Sequence, residues 1–95
     1  MPNALSATQI DQALANLAGW SVADGKLTKT WKLADFKQAL GFITQIGLYA
    51  EQQNHHPELF NVYSTVTIAL STHDAGDAIT EYDINLANAI ETIKL

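Results

Sequence analysis

The stretch LFNVYSTVTIALST, residues 59–72, carries the clearest β-strand pattern in the chain. Within it, Val66, Ile68 and Leu70 alternate with threonine and alanine, as expected for a strand that buries one face against a core. The alternation alone leaves open whether residues 59–63 form a separate strand. We therefore predict one or two strands in this part of the chain.

A second strand pair is indicated upstream by Asp24-Gly25, a dipeptide that favours two-residue hairpin turns. Short strand-like runs flank it at 20–23 and 27–33. Together with the later stretch, these runs predict an antiparallel sheet of about four strands. Such a sheet has two edges, and residues 62–70 carry few charges or prolines that would keep an edge from pairing with another chain.

Three segments with apolar residues at helical spacing surround the strands, at residues 5–18, 35–53 and 80–94. Each begins with a capping pattern, in which a Ser, Asp or Thr precedes a Gln or Asp by three residues. The order is therefore α-β-β-α-β-β-α. It predicts a single domain over residues 1–95 with an α+β, two-layer fold, in which the helices lie on one face of the sheet.

Composition narrows the function classes before any motif is considered. The 95 residues contain no cysteine, which excludes disulfide scaffolds, thiol nucleophiles and cysteine-based metal sites. Ten acidic residues against five lysines, with no arginine, give a net charge of −5, so direct nucleic-acid binding is not expected. No apolar run is long enough to span a membrane, and the N-terminal residues lack a signal-peptide pattern. We therefore expect a cytoplasmic protein with no membrane partner.

All three histidines lie between positions 55 and 73. His55 and His56 are adjacent in a predicted loop before Pro57, where packing explains them poorly, so a functional role is favoured. For His73, after the strand stretch, the pattern favours neither a functional nor a structural role. Histidine has an ordinary pKa of about 6.5, which suits proton transfer near neutral pH. The three do not have the usual spacing of zinc ligands, and we expect no metal.

Three other side chains have two interpretations each. Glu51, four residues before His55, either orients a histidine or is a solvated acid at a helix end. Asp83 is already explained by capping of the third helix, so a role at a site would be additional. Trp20 is either a core or interface aromatic or a platform that stacks on a flat ligand.

The segment EQQNHHP, residues 51–57, followed by Tyr63, His73 and Asp83, closely resembles the signature of the pterin-4a-carbinolamine dehydratases. The resemblance runs essentially from residue 5 to residue 93. It is specific, because three histidines, a proline, an aromatic residue and an aspartate must agree in spacing.

The resemblance implies a lyase that dehydrates 4a-hydroxytetrahydropterin to quinonoid dihydropterin and water, and so recycles the pterin of aromatic amino acid hydroxylases. It implies no cofactor, and it gives acid–base catalysis to His55, His56 and His73. The remaining expected site residues are Asn54, Ser71, Thr72 and Asp74 for substrate binding, Trp20 for stacking on the substrate, and Glu51 and Asp83 for orientation. Two positions depart from the family pattern, since members often carry an acid at Asn54 and a tryptophan at Leu59.

Two alternatives remain beside the enzyme. The family that the chain resembles includes members that act as dimerisation partners of a transcription factor, so a non-catalytic interaction module is the main one. The other is a dehydratase-like protein that acts on molybdopterin-related pterins. The intact histidines favour the enzyme.

We also expect a homo-oligomer, either a dimer or a tetramer. A 95-residue chain without disulfides forms a small core, and pairing of sheet edges from two copies would extend the sheet. Helical spacing places Phe36 and Leu40 on the buried stripe of the middle helix and leaves Phe42, Gln45 and Tyr49 off it, as a second candidate interface. The resemblance implies the same, because related proteins form dimers and tetramers.

Overall fold

The computed structural model describes residues 2–95, which form three α-helices and one four-stranded antiparallel sheet. The elements, in chain order, are α1 (Ala7–Leu14), β1 (Ser21–Ala23), β2 (Lys26–Lys32), α2 (Phe36–Gln53), β3 (Glu58–Val62), β4 (Thr65–Leu70) and α3 (Glu81–Glu91). A short 3-10 helix, His73–Ala75, lies between β4 and α3. The predicted order and the α+β two-layer class are confirmed. Within residues 2–95, no helix combines the length and the apolar character needed to cross a membrane.

The strand order in the sheet is β1-β2-β4-β3, so β4 is an internal strand with partners on both sides. Its alternating residues Val66, Ile68 and Leu70 are fully buried, as the sequence pattern predicts. Residues 59–63 do contribute to a separate strand, because a turn at Tyr63 (φ 51°) folds β3 back against β4. The expectation that 62–70 forms a pairing edge is therefore wrong, and the edges are β1 and β3.

All three predicted caps are present at the helix starts. Ser6 and Gln9 form a reciprocal capping box, and the Asp35 carboxylate accepts a hydrogen bond from the Gln38 N–H at 2.7 Å. The first helix is shorter than predicted. After Leu14, the chain continues in turns closed by bonds between residues three apart, and these end at Gly19 with a φ of 85°.

The core lies between one face of the sheet and the helices, and Phe42 is at its centre. Phe42 is 1% exposed, and its ring meets the edge of Trp31 with centroids 4.9 Å apart. Its predicted place off the buried stripe is therefore wrong, and so is the burial of Phe36 and Leu40, which are exposed. The buried face of α2 therefore differs from the predicted stripe. It consists of Ala39, Phe42, Ile46 and Ala50.

Candidate active site

Three chain segments meet at one end of the sheet: the C-terminus of α2, the turn after β4 and the start of α3. Between them lies an open cleft of about 480 Å³, called here the histidine cleft. All three histidines line it, and so do four of the five residues expected to bind substrate: Asn54, Ser71, Thr72 and Asp74. Seven of the ten site residues expected from the sequence thus line this one cleft.

The end of α2 determines how the adjacent histidines are presented. Asn54 adopts the left-handed conformation (φ 51°, ψ 43°), which asparagine tolerates better than most residues and which ends the helix. The His55 N–H then closes the turn on the Ala50 carbonyl at 3.0 Å. The His55 side chain is left only 11% exposed, whereas that of His56 is 59% exposed. His55 is therefore largely buried, and the neighbouring His56 is solvated.

His55 is held by a buried carboxylate. Its Nε2 lies 2.5 Å from Oδ1 of Asp83, a residue with no exposed surface. The other oxygen, Oδ2, accepts the Thr72 hydroxyl and the Thr80 backbone N–H, both at 2.8 Å. Asp83 is thus both the predicted cap of α3 and the predicted orienting acid, because its two oxygens face different partners.

The number of hydrogens available in this cluster determines which group donates in each hydrogen bond. Thr72 has one hydroxyl hydrogen and donates it to Asp83, so the 2.6 Å contact between the two threonine hydroxyls is a bond donated by Thr80. The carboxylate has no hydrogen to give, so Nε2 of His55 carries the hydrogen of that bond. In the neutral ring, Nδ1 is then the nitrogen with the lone pair. The cluster selects one of the two imidazole tautomers.

The other two histidines have solvated acidic partners. His56 Nε2 lies 2.6 Å from Oε1 of Glu51, one turn back in α2, and both side chains are mostly exposed. His73 Nδ1 lies 3.3 Å from Oδ1 of Asp77, and the His73 side chain is 93% exposed. Exposed pairs of this kind contribute between about 0 and 1 kcal/mol to stability. These two rings are therefore open to solvent, unlike that of His55.

Trp20 is placed differently from the prediction, whereas Thr72 lines the cleft as expected. Trp20 is 6% exposed and lies away from the cleft residues: its indole N–H donates to Glu91 at 3.0 Å, and its ring packs on Trp31 at 5.6 Å. It is a core residue and not a stacking platform. Thr72 borders the cleft, but its hydroxyl, N–H and carbonyl are all engaged within the protein. Its position supports Asp83 rather than offering a group to a ligand.

Tyr82 is one of three cleft residues that the sequence did not predict. Its ring is 50% exposed and lies 5.9 Å, between centroids, from the ring of His55. The available signal was its place directly before Asp83, in the first turn of α3. Pro2 and Gln53 also line the cleft without having been predicted.

The charged groups of the described residues 2–95 form no cluster of three or more His, Asp or Glu side chains with the geometry of a metal site.

Outside the histidine cleft, Lys26 of β2 reaches across to Glu58 of β3, and its Nζ lies 2.8 Å from Oε1. This hydrogen bond raises the pKa of Lys26 above its ordinary value of 10.5.

The fold and the cleft define a small α+β protein in which three histidines line one open cleft. The family model described as Pterin 4 alpha carbinolamine dehydratase matches residues 3–93. The chain therefore belongs to the pterin-4a-carbinolamine dehydratase family, as its histidine signature predicts.

Bacterial relatives cover almost the whole chain. A Rhizobium johnstonii protein is 49% identical over 89 residues, which are 92% of this chain and 87% of that protein. A Solibacter usitatus protein is 47% identical over 93 residues, which are 98% of this chain and 97% of that protein. Both carry the provisional name pterin-4-alpha-carbinolamine dehydratase. A crystal structure from Brucella melitensis, titled a transcriptional coactivator/pterin dehydratase, has a TM-score of 0.89, 40% identity and coverage of 95% and 97% of the two chains.

Proposed function

We propose that this protein dehydrates 4a-hydroxytetrahydropterin, and that His55, His56 and His73 are its catalytic residues. The observation that carries the proposal is the histidine cleft, which is lined by one largely buried and two solvated imidazoles. Family membership supplies the substrate class, since the matched family is described by this activity.

The reaction needs one proton delivered and one removed. The C4a–O bond breaks as the hydroxyl oxygen accepts a proton and leaves as water. N5 loses its hydrogen, and the electron pair of that N–H bond forms the C4a=N5 double bond of the quinonoid dihydropterin. Both steps are proton transfers, each of which a positioned side chain accelerates about 10²–10⁴-fold.

We assign the base to His55. Its Nε2 hydrogen is committed to Asp83, so neutral His55 can accept the N5 proton at Nδ1, and the buried carboxylate stabilises the imidazolium that forms. His56 and His73 are the candidates for the acid, because each is solvated and has a carboxylate beside it. They regain a proton from water after each turnover. Asn54, Ser71 and Asp74 are left to bind the polar edge of the pterin ring.

The test is dehydration of synthetic 4a-hydroxytetrahydropterin, followed by the absorbance of the quinonoid product. Replacing His55 by alanine should lower kcat about 10²–10⁴-fold, and replacing His56 or His73 should each lower it measurably. Asn85→Ala is the matched control, because Asn85 is exposed on α3 and lines no part of the cleft. A wild-type protein without activity, or a His55→Ala variant that keeps full activity, would contradict the proposal.

We also propose that the protein is a homodimer that pairs through β3. This edge strand exposes Leu59, Phe60 and Val62, with 44%, 63% and 57% of their surfaces accessible. Exposed apolar edges of this kind pair readily with another strand. A tetramer would need a further surface, and the exposed Leu40 and Leu48 of α2 offer one. Sedimentation at micromolar concentration tests this, and a mass of 10.3 kDa would contradict it.

A second candidate function is protein interaction, and the same apolar edge favours it. The structural relative from Brucella melitensis has both a coactivator and a dehydratase in its title. A partner strand or a second copy would compete for β3. Substitution on β3 that abolishes partner binding but preserves dehydration in the histidine cleft would separate the two functions. The cytoplasmic location remains a prediction.

A further inference from the structure

Tyr82 is a cleft residue that the proposed chemistry leaves unused. It also lines a second cavity of about 360 Å³, called here the Tyr82 pocket, together with residues 2–5, Gln9, Thr80 and Glu81. Pro2 and Tyr82 belong to both linings, so the two cavities adjoin. A ligand in the histidine cleft could therefore extend past Tyr82 into the pocket.

The chemistry of the pterin ring says which part of the substrate would extend there. N5 and C6 are bonded neighbours, so the first atom of a C6 substituent lies about 2.5 Å from N5, which is two covalent bonds away. If His55 removes the N5 proton, the substituent starts beside His55. The Tyr82 ring lies 5.9 Å from the His55 ring and lines both cavities, so a substituent that starts beside His55 starts close to Tyr82.

The Tyr82 pocket has a definite chemical character. Tyr82, Asn3 and Gln9 have neutral polar side chains in the lining. The Gln9 Oε1 accepts the Ser6 N–H, so the groups that Gln9 still has to offer a ligand are its amide hydrogens. The charged member of the lining is Glu81, an acid. A carboxylate repels an anionic group nearby, and among residues 2–95 no lysine lines the pocket to offset it.

We propose that the Tyr82 pocket receives the C6 substituent of the pterin, and that Tyr82 and Glu81 select a short, neutral, hydroxylated chain over a phosphorylated one. This inference rests on the proposed function. Tyr82 acts by contact with the substituent, and Glu81 acts by charge.

Three substrates that share the pterin ring test the proposal. They carry a methyl group, a dihydroxypropyl group and the phosphate ester of that diol at C6. For the wild type, we expect the highest kcat/KM with the diol and the lowest with the phosphate. Tyr82→Ala should lower kcat/KM for the diol about 5- to 10-fold, the effect of losing one or two hydrogen bonds, and should change the methyl substrate less.

Two further variants divide the effect. Tyr82→Phe keeps the ring, so its kcat/KM for the diol should fall only by the part of the effect that comes from the hydroxyl. Glu81→Gln should raise kcat/KM for the phosphate relative to the diol about fivefold. Asn85→Ala, on the same helix but in neither cavity, should leave all ratios unchanged.

Binding of the matching unreactive dihydropterins, measured by calorimetry, keeps the inference separate from the proposed function. A protein that binds the diol form best, and loses this preference in Tyr82→Ala, supports the pocket even if dehydration fails. A Tyr82→Ala variant that lowers kcat/KM and affinity equally for all three substituents overturns it. A wild type without preference among the three overturns it as well, while its dehydratase activity would stand.

Discussion

Replacing Thr72 by valine should lower the free energy of unfolding strongly, although it exchanges only a hydroxyl for a methyl group. Valine matches threonine in shape, and Thr72 is 4% exposed, so the change removes only a buried hydroxyl. That hydroxyl donates to the Asp83 carboxylate at 2.8 Å, a bond to a charged group worth about 1.5–3 kcal/mol. It also accepts from Thr80 at 2.6 Å, and leaving the Thr80 hydroxyl without a partner costs about 1–3 kcal/mol.

The two losses share one atom and are not fully additive, so we expect the free energy of unfolding to fall by about 3 kcal/mol. For a domain of this size, that lowers Tm by about 15 °C. Urea unfolding followed by the fluorescence of Trp20 and Trp31 measures it, at one fixed protein concentration because association would shift the midpoint.

Thr72→Ser is the matched control. It keeps the hydroxyl and loses one methyl group, at a cost of about 1 kcal/mol. Thr72→Val therefore measures the replacement of the hydroxyl by a methyl group, Thr72→Ser measures the loss of the methyl group, and the first effect should be the larger by about 2 kcal/mol. If Thr72→Val lies within 1 kcal/mol of Thr72→Ser, a difference at the scale of one ordinary hydrogen bond, the argument that the buried cluster depends on this hydroxyl fails.

Four further predictions follow from the site and the surface. Asp83→Asn should lower kcat about 10²-fold or more, because an amide places one donor where three hydrogen bonds need acceptors; nitrogen spectra of the His55 ring should show a changed tautomer, and an unchanged spectrum with unchanged kcat would contradict the assignment. Treatment with a chelator should leave full dehydratase activity, and a stoichiometric metal whose removal abolishes turnover would replace the acid–base mechanism by a Lewis-acid one. Phe60→Lys places a charge on the exposed edge of β3 and should shift the sedimentation mass towards 10.3 kDa, whereas an unaltered oligomer would move the interface elsewhere. Glu58→Gln should remove a stabilising contribution that is present below the unfolded pKa of Lys26, about 10.5, and that is lost as the pH rises through the higher folded value; wild type and variant should therefore converge in alkaline unfolding curves, and parallel curves would count against it.

The sequence was a good guide wherever a local pattern has a single physical solution. Ser6, Asp35 and Thr80 were recognised as caps because a side-chain oxygen three residues before a suitable partner satisfies backbone N–H groups only at a helix start. The alternation that ends at Leu70 predicted a buried strand face for a similar reason.

Tertiary placement is where the sequence was insufficient. Helical spacing could not decide between the faces that carry Leu40 and Phe42, since both are apolar and the choice depends on how α2 lies on the sheet. The same holds for Trp20, whose two interpretations differ only in whether the indole faces Glu91 or a ligand. Tyr82 was missed because its one signal, its place directly before Asp83, indicates a cleft only once Asp83 is known to contact His55.

The left-handed turn at Asn54 limits how this segment can vary in length. Asn54, with its positive φ, separates α2 from two consecutive histidines, of which His55 is largely buried and His56 is exposed. Which histidine is buried therefore depends on the number of residues that separate it from the end of the helix. Deleting one residue before His55 would bring His56 to the place of His55, and inserting one there would move His55 to the place of His56, so either change would break the contact with Asp83. We therefore expect a single insertion or deletion before His55 to lower dehydratase activity as strongly as His55→Ala does, and a library of length variants tests this directly.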